Sequence, residues 1–268
     1  MHRKAFIYLK RDNACERTMY SESHCHLRGL ADDAVEGAEE AGVVLALTAG
    51  IDVASSELAI QAARRHRIVR ACVGIHPWNA DRYSAEARRG LMALAGDGEA
   101  VAVSEIGLDY VGRRDSEGRY VDEHIEEEIQ RAAFRGQLAM AGELGLPVLV
   151  HDRAPGHEVL NILEEEGPVE GGAAVHGFSK DAAYAERCVD MGVYLSIGAR
   201  AISAPGSEAL LEAVRDVPLE WLLTETDSAR PAGVVAVAER IAELKGLSRA
   251  EVGRATTRNL RRLIGLPA

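Results

Sequence analysis

The sequence predicts a single α/β domain, a TIM-like (β/α)8 barrel, and three observations carry that expectation. From Met19 onward, short β-rich runs alternate with helical patterns, the signature of βα units and a parallel sheet. There are eight such runs, the number that closes a barrel. The length of 268 residues suits a barrel folded as one domain.

Met1 to Thr18 is polar and irregular and precedes a second methionine. It is expected to be an extension (1–18) outside the barrel (19–268), or to reflect an upstream start codon. Its apolar run Phe6-Ile7-Tyr8-Leu9 is too short for a secretory segment. The first strand, Tyr20–Ser23, runs into Ser23-His24-Cys25-His26. Residues two apart on a strand share a face, so His24 and His26 aim at one point, as two ligands of one metal would. Cys25 faces the other way as a packed small hydrophobe. His-x-His by itself also suits two surface or hydrogen-bonded histidines.

The second and third strands are Val43–Thr48 and Ile68–Ile75. The third leads into Gly74-Ile75-His76-Pro77, where His76 reads as a substrate contact or a support for the ligands. The fourth, Ala100–Ile106, carries Glu105 in an apolar run. A buried carboxylate there costs several kcal/mol unless it is paired or metal-bound. An arginine at the barrel mouth is the alternative partner. A Gly/Arg-rich loop, Val111–Tyr120, follows. Ile125, Ile129, Ala132, Gly136, Ala139 and Leu144 then keep a helical period, stopped by Gly145 and Pro147.

The fifth and sixth strands, Pro147–His151 and Ala173–His176, end in imidazoles. Either alone could be a core histidine bonded to a backbone carbonyl; two at successive strand ends, beside His24, His26 and Glu105, favour a metal site. After Val193–Ile197, the eighth strand, Leu222–Glu225, delivers Glu225 and Asp227. Ser248-Arg249-Ala250-Glu251 is a capping box opening the last helix. In a barrel all these strand ends meet on one face.

Composition narrows the function. Hydrophobic residues make up 47% and charged residues 27%, ordinary for a soluble chain. No stretch approaches the roughly 18–20 apolar residues of a membrane span, so a cytoplasmic protein is expected. Four dispersed cysteines without a Cys-x-x-Cys pair argue against a disulfide framework or a zinc ribbon. A net charge of −11 argues against non-specific coating of a duplex. A polyanion could still bind locally where metal ions supply positive charge. Imidazole and carboxylate ligands suit Zn²⁺, Mn²⁺ or Mg²⁺ and leave a position for water.

With Ser104-Glu105-Ile106-Gly107-Leu108-Asp109, Gln137-Leu138, Val150-His151-Asp152-Arg153, His176-Gly177-Phe178-Ser179 and Glu225-Thr226-Asp227, the chain from Met19 onward resembles the TatD family of metal-dependent deoxyribonucleases. That family is a branch of the amidohydrolase-like barrels. The resemblance implies two divalent ions, one held by His24, His26, Glu105 and Asp227, the other by Glu105, His151 and His176. It implies a nuclease, often 3′→5′ on single-stranded DNA or RNA, with D-aminoacyl-tRNA deacylation linked to some members. On that reading a metal-activated water gives its proton to Asp227, Glu105 bridges the ions, and Glu225 orients the water or the ligands. Arg153, Lys180 and His76 are the candidate phosphate contacts. Single-stranded nucleic acid is then the expected partner, with no membrane partner and a monomer by default.

Departures lie at Glu22 (usually Asp), Ser104 (usually Gly), Lys180 (commonly Gly) and Ser228-Ala229-Arg230 (usually Ala/Ser-Pro). None removes a ligand, and the last two alter the rim. A related barrel hydrolase acting on an ester, amide or lactone is the alternative enzyme. Many of those bridge their metals with a carboxylated lysine, but no lysine of this chain closes a strand. A non-catalytic barrel with structural metal is the reading from another class.

Overall fold

The computed structural model describes residues 18–27, 31–96, 98–113 and 124–267. Residues 1–17 of the expected extension and 114–120 of the expected loop lie outside these. Among the described residues the strands are β1 Tyr20–Cys25, β2 Val43–Ala49, β3 Val69–Val73, β4 Ala100–Asp109, β5 Val148–Arg153, β6 Ala173–His176, β7 Val193–Gly198 and β8 Leu222–Glu225. They pair in parallel in the order β1 to β8. The helices are α1 Asp32–Glu40, α2 Val53–Arg65, α3 Ala85–Gly96, α4 Glu127–Leu144 and α5 Glu158–Glu166. They continue with α6 Ala182–Asp190, α7 Ala199–Ser203, α8 Glu208–Asp216, α9 Val234–Lys245 and α10 Arg249–Leu263. Among the described residues no helix is long and apolar enough to cross a membrane.

The ring closes between β8 and β1. Thr224 Oγ1 donates to the Ser21 carbonyl at 2.8 Å and Ser23 Oγ to the Thr224 carbonyl at 3.1 Å. Just past the strand ends, Asp227 N–H donates to the His24 carbonyl and His26 N–H to the Ser228 carbonyl, at 3.0 and 2.9 Å. These last two bonds tie the chain's first and last candidate ligands to one another.

Strand alternation divides the side chains. Leu47, Cys72, Ala102, Leu149, Ala174 and Leu223 point inward and form the barrel's own core, with Leu260 and Leu263 of α10 packed against them. The opposite faces bury Val69, Val103, Val148 and Val175 beneath the helices. His151 and His176 stand two residues beyond Leu149 and Ala174, so the alternation that builds the core also turns both imidazoles inward.

β3 and α4 depart from expectation in ways that bear on the strand ends. β3 stops at Val73, short of Ile75, because the Ile75 peptide is bonded from outside the ladder. Its N–H donates to Gln137 Oε1 at 2.7 Å and its carbonyl accepts from Gln137 Nε2 at 3.0 Å. Gln130 grips the Asp109 peptide in the same way, at 2.7 and 3.0 Å. Both glutamines lie on the face α4 buries, with Ala133, Phe134, Leu138 and Ala141. The expected face through Ile129, Ala132 and Ala139 is exposed instead. Apolar periodicity misplaced it because two buried positions are amides satisfying backbone groups at strand ends.

Gln137→Leu is therefore expected to leave the Ile75 N–H and carbonyl unpaired, at a cost of roughly 1–3 kcal/mol for each unsatisfied group. Thermal denaturation of the variant measures it. A melting temperature equal to wild type would show the amide clamp to be dispensable.

Candidate metal centre

The open face of the barrel gathers the strand ends. β1 delivers His24 and presents His26 one residue past its end, β4 delivers Glu105, and Asp227 stands two residues beyond β8. One atom from each lies within 4.8 Å of the others. Glu105 Oε1 meets His24 Nε2 directly and stands 3.0 Å from His26 Nε2. Asp227 Oδ1 lies 3.2 Å from His26 Nε2. Asp227 holds φ at 49°, a left-handed conformation that short Asx side chains tolerate and that costs of order 1–3 kcal/mol. Its N–H bond to the His24 carbonyl keeps it there.

His151 and His176 sit beside this cluster. His176 Nε2 is 3.9 Å from Glu105 Oε1 and 3.1 Å from His151 Nδ1. The other nitrogen of each ring faces a carboxylate: His151 Nε2 lies 3.0 Å from Asp109 Oδ2, and His176 Nδ1 lies 3.7 Å from Glu225 Oε1. The Asp109 hydrogen bond places the His151 proton outward, and the Glu225 charge, too far for a hydrogen bond, favours the same tautomer at His176, so two imidazole lone pairs converge on the cavity. Lone pairs this close need a proton or a cation between them. His26 is oriented in the same sense by the Ala49 carbonyl, 3.3 Å from its Nδ1.

Charge balance points the same way. Burial works to raise Glu105, but the His24 and His26 imidazoles outweigh it and hold the carboxyl well below the usual range. Against burial, His26 is pushed up to about 11 by Glu105 and Asp227, and His176 up to about 9 by Glu225, Glu105 and Asp227. Burial pushes His24 and His76 down. Without a cation the carboxylates hold protons on His26 and His176; a divalent ion can replace those protons. The donor set fits such ions, with two carboxylates and four imidazole nitrogens aimed at one space.

A second group, His76, Asp109 and His151, is equally close-set but does not fit a metal. His76 Nδ1 accepts from Trp78 N–H at 3.0 Å, so its proton is on Nε2, 3.6 Å from Glu105 Oε2. Both Asp109 oxygens are also taken. Oδ1 accepts from the Val111 and Gly112 N–H groups, and Oδ2 from Trp78 Nε1, His151 and Arg153.

The family described as TatD related DNase matches residues 22–265. The chain belongs to the TatD-related DNase family. It is 34% identical to the metal-dependent hydrolase TatD of Mycobacterium tuberculosis, covering 91% of this chain and 97% of that one. It is 31% identical to a protein of Erwinia amylovora named 3′-5′ ssDNA/RNA exonuclease TatD, covering 88% and 93%. Among solved structures, the TatD homolog YJJV of Escherichia coli superposes with a TM-score of 0.82 at 24% identity, covering 92% and 98%, a likeness of fold. As a TatD-family chain this protein is a metal-dependent hydrolase.

The remaining expected residues of this TatD-family site separate by position. His76 and Arg153 line the cavity beside the ligands. Glu225 is fully buried behind His176, accepting from Gly177 N–H at 2.7 Å. Lys180 is not brought to the cavity. Its ammonium donates to the Ala154 carbonyl at 2.6 Å and lies 3.2 Å from Asp152, because the loop after β6 turns it toward the end of β5.

Two carboxylates outside the expected ligand set support the site. Glu22 is buried and accepts from the His24 and Thr226 N–H groups, both at 3.0 Å, riveting β1 to the loop that carries Asp227. Burial pushes its carboxyl well above the usual range. Asp109 was visible as an acidic strand end, but not as the hub beneath His151. Gly107 serves the same contact: at φ 142°, a Cβ there would collide with the His151 carbonyl.

Proposed function

We propose that this hydrolase cleaves phosphodiester bonds of single-stranded DNA or RNA, from the 3′ end, using two divalent ions such as Mg²⁺, Mn²⁺ or Zn²⁺. The observation that carries the reading is the convergence of His24, His26, Glu105 and Asp227 on one point of an open cavity, with the His151 and His176 lone pairs beside it. The relatives named as single-strand exonucleases support the substrate class. Bound ions would neutralise phosphate charge and lower the pKa of a water toward about 7.

The chain's own groups divide the remaining work. Asp227, with a side chain 39% exposed and a carboxyl held well below its ordinary value, stays ionised at neutral pH and takes the proton of the attacking water. The water oxygen bonds to phosphorus, the bond to the leaving sugar oxygen breaks, and that oxygen takes up a proton. Glu105 spans the two groups of imidazoles. Glu225 and Asp109 fix His176 and His151. His76, with its proton on Nε2, and Arg153 donate to phosphate oxygens.

Purified protein supplied with Mn²⁺ is expected to shorten a 5′-labelled single-stranded oligonucleotide stepwise, and to stop doing so when EDTA is added. Cleavage of a D-aminoacyl ester with no attack on any oligonucleotide would replace this reading with the ester hydrolase.

A further inference from the structure

The cavity at the barrel mouth measures about 920 Å³, near the upper end of the roughly 300–1,000 Å³ that small-ligand sites occupy, and its two sides differ in chemistry. One side is built after β1, β2 and β3, from Leu27, Ile51, Leu58 and Trp78. Leu58, on the second turn of α2, leaves a large apolar side chain 49% exposed at the rim. The other side is built at the end of β5 and after β7, from Arg153 and Arg200. In a ring of eight strands β3 and β7 stand four places apart, so the loops that bear Trp78 and Arg200 arise on opposite sides. The candidate ligands lie between them.

The two arginines are not equivalent. Arg153 is tied to Asp109 at 3.1 Å. Arg200, exposed in the first turn of α7, has no hydrogen-bond or ion-pair partner among the described residues. In a chain of net charge −11, an unpaired guanidinium at the cavity rim is a local exception that favours an anion. A planar fork of donors suits a phosphate, and an apolar wall with an indole suits the face of a base.

We propose that the cavity holds one nucleotide unit next to the bond that is cut, its base lying against Leu58, Ile51 and Trp78 and its phosphate on Arg200. This deepens the phosphodiesterase reading and rests on it. A single strand, whose bases can splay from its backbone, presents both groups at once; a duplex keeps its bases stacked and offers only phosphates. The site therefore selects unpaired strands by chemistry located away from the metal ligands.

The test compares kcat/KM for a short single-stranded oligonucleotide with that for bis(4-nitrophenyl) phosphate, which has neither base nor second phosphate, in wild type, Arg200→Gln and Leu58→Ser, all with Mn²⁺. Arg200→Gln is expected to lower the oligonucleotide-to-diester ratio about tenfold, the loss of one charge-assisted contact. It should also flatten the dependence of log KM on log salt by about 0.7, the share of one phosphate on a single strand. Leu58→Ser should lower the ratio for a normal strand and have less effect on one with abasic residues at its cleaved end. Ratios within twofold of wild type in both variants, with an unchanged salt slope, would overturn the inference while wild-type cleavage left the nuclease reading standing. A wild type that hydrolyses neither substrate would overturn both.

Discussion

Glu105→Ala is expected to reduce metal-dependent hydrolysis by at least about a thousandfold while the barrel still folds. Glu105 reaches both parts of the centre: one oxygen meets His24, His26 and, at 3.9 Å, His176, and the other faces His76. Its loss removes the anion that draws cations between the two groups of imidazoles. If the ions contribute several kcal/mol to the barrier, at about 1.4 kcal/mol per tenfold, the rate falls by at least that factor. The fold itself rests on the strand ladders and the two hydrophobic clusters, which the substitution leaves in place.

Thermal denaturation supplies a readout that does not depend on turnover. A ligand at a hundred times its dissociation constant stabilises the folded state by about 2.7 kcal/mol, so Mn²⁺ should raise the melting temperature of wild type and not that of the variant. The effect has a sign in pH as well. His26 and His176 are raised in the folded state above their ordinary value of 6.5, so the stability they give the metal-free protein is fully present below pH 6.5. It is lost as pH rises through about 9 for His176 and about 11 for His26. The gain from Mn²⁺ should therefore grow as pH increases from 6.5, because fewer protons have to be displaced. Full activity in Glu105→Ala, or a Mn²⁺-induced shift equal to wild type, would remove the two-ion centre from the account.

The barrel was readable because its signals are local. A strand buried on both faces writes itself as a short apolar run, and the ligands appear at its end with period two, so Leu149 and Ala174 already announce the direction of His151 and His176. β4 outran its expected end at Ile106 because Leu108 and Asp109 pair with Asp152 and Arg153, a partnership invisible from either run alone. The supports of the centre depend on such distant meetings. Gln130 and Gln137 resemble solvated helix positions until a strand-end peptide is placed against them. Glu22 resembles a polar residue beside the ligands until β8 returns to β1. Lys180 follows the sixth strand closely enough to suggest phosphate, yet Asp152 and the Ala154 carbonyl claim it first. Arg200 is conspicuous only once the ring sets it across from Trp78.

Asp109→Asn should lower kcat/KM and metal affinity about 10- to 100-fold, the range seen when a group that orients a metal ligand is removed. Every partner of this carboxylate is a donor: two backbone N–H groups at 2.9 and 3.0 Å on Oδ1, and Trp78 Nε1, His151 Nε2 and Arg153 at 2.9, 3.0 and 3.1 Å on Oδ2. An amide must turn its NH₂ toward one of these sets, so no rotamer preserves both. Burial opposes the charge, but the His151 hydrogen bond and Arg153 bring the Asp109 carboxyl down from 3.8 to about 2, so the carboxylate contributes stability present above pH 3.8 and lost as pH falls through 2. If the amide end faces His151, the ring loses its acceptor, and a proton moved from Nε2 to Nδ1 would take away the lone pair that faces His176. A simple loss of packing would lower stability alone. The orienting role predicts in addition a change of His151 tautomer, which ¹⁵N NMR of the imidazole in Zn²⁺-loaded protein reports directly. Wild-type metal affinity with an unchanged His151 spectrum in Asp109→Asn would show that the imidazole is held by its other neighbours.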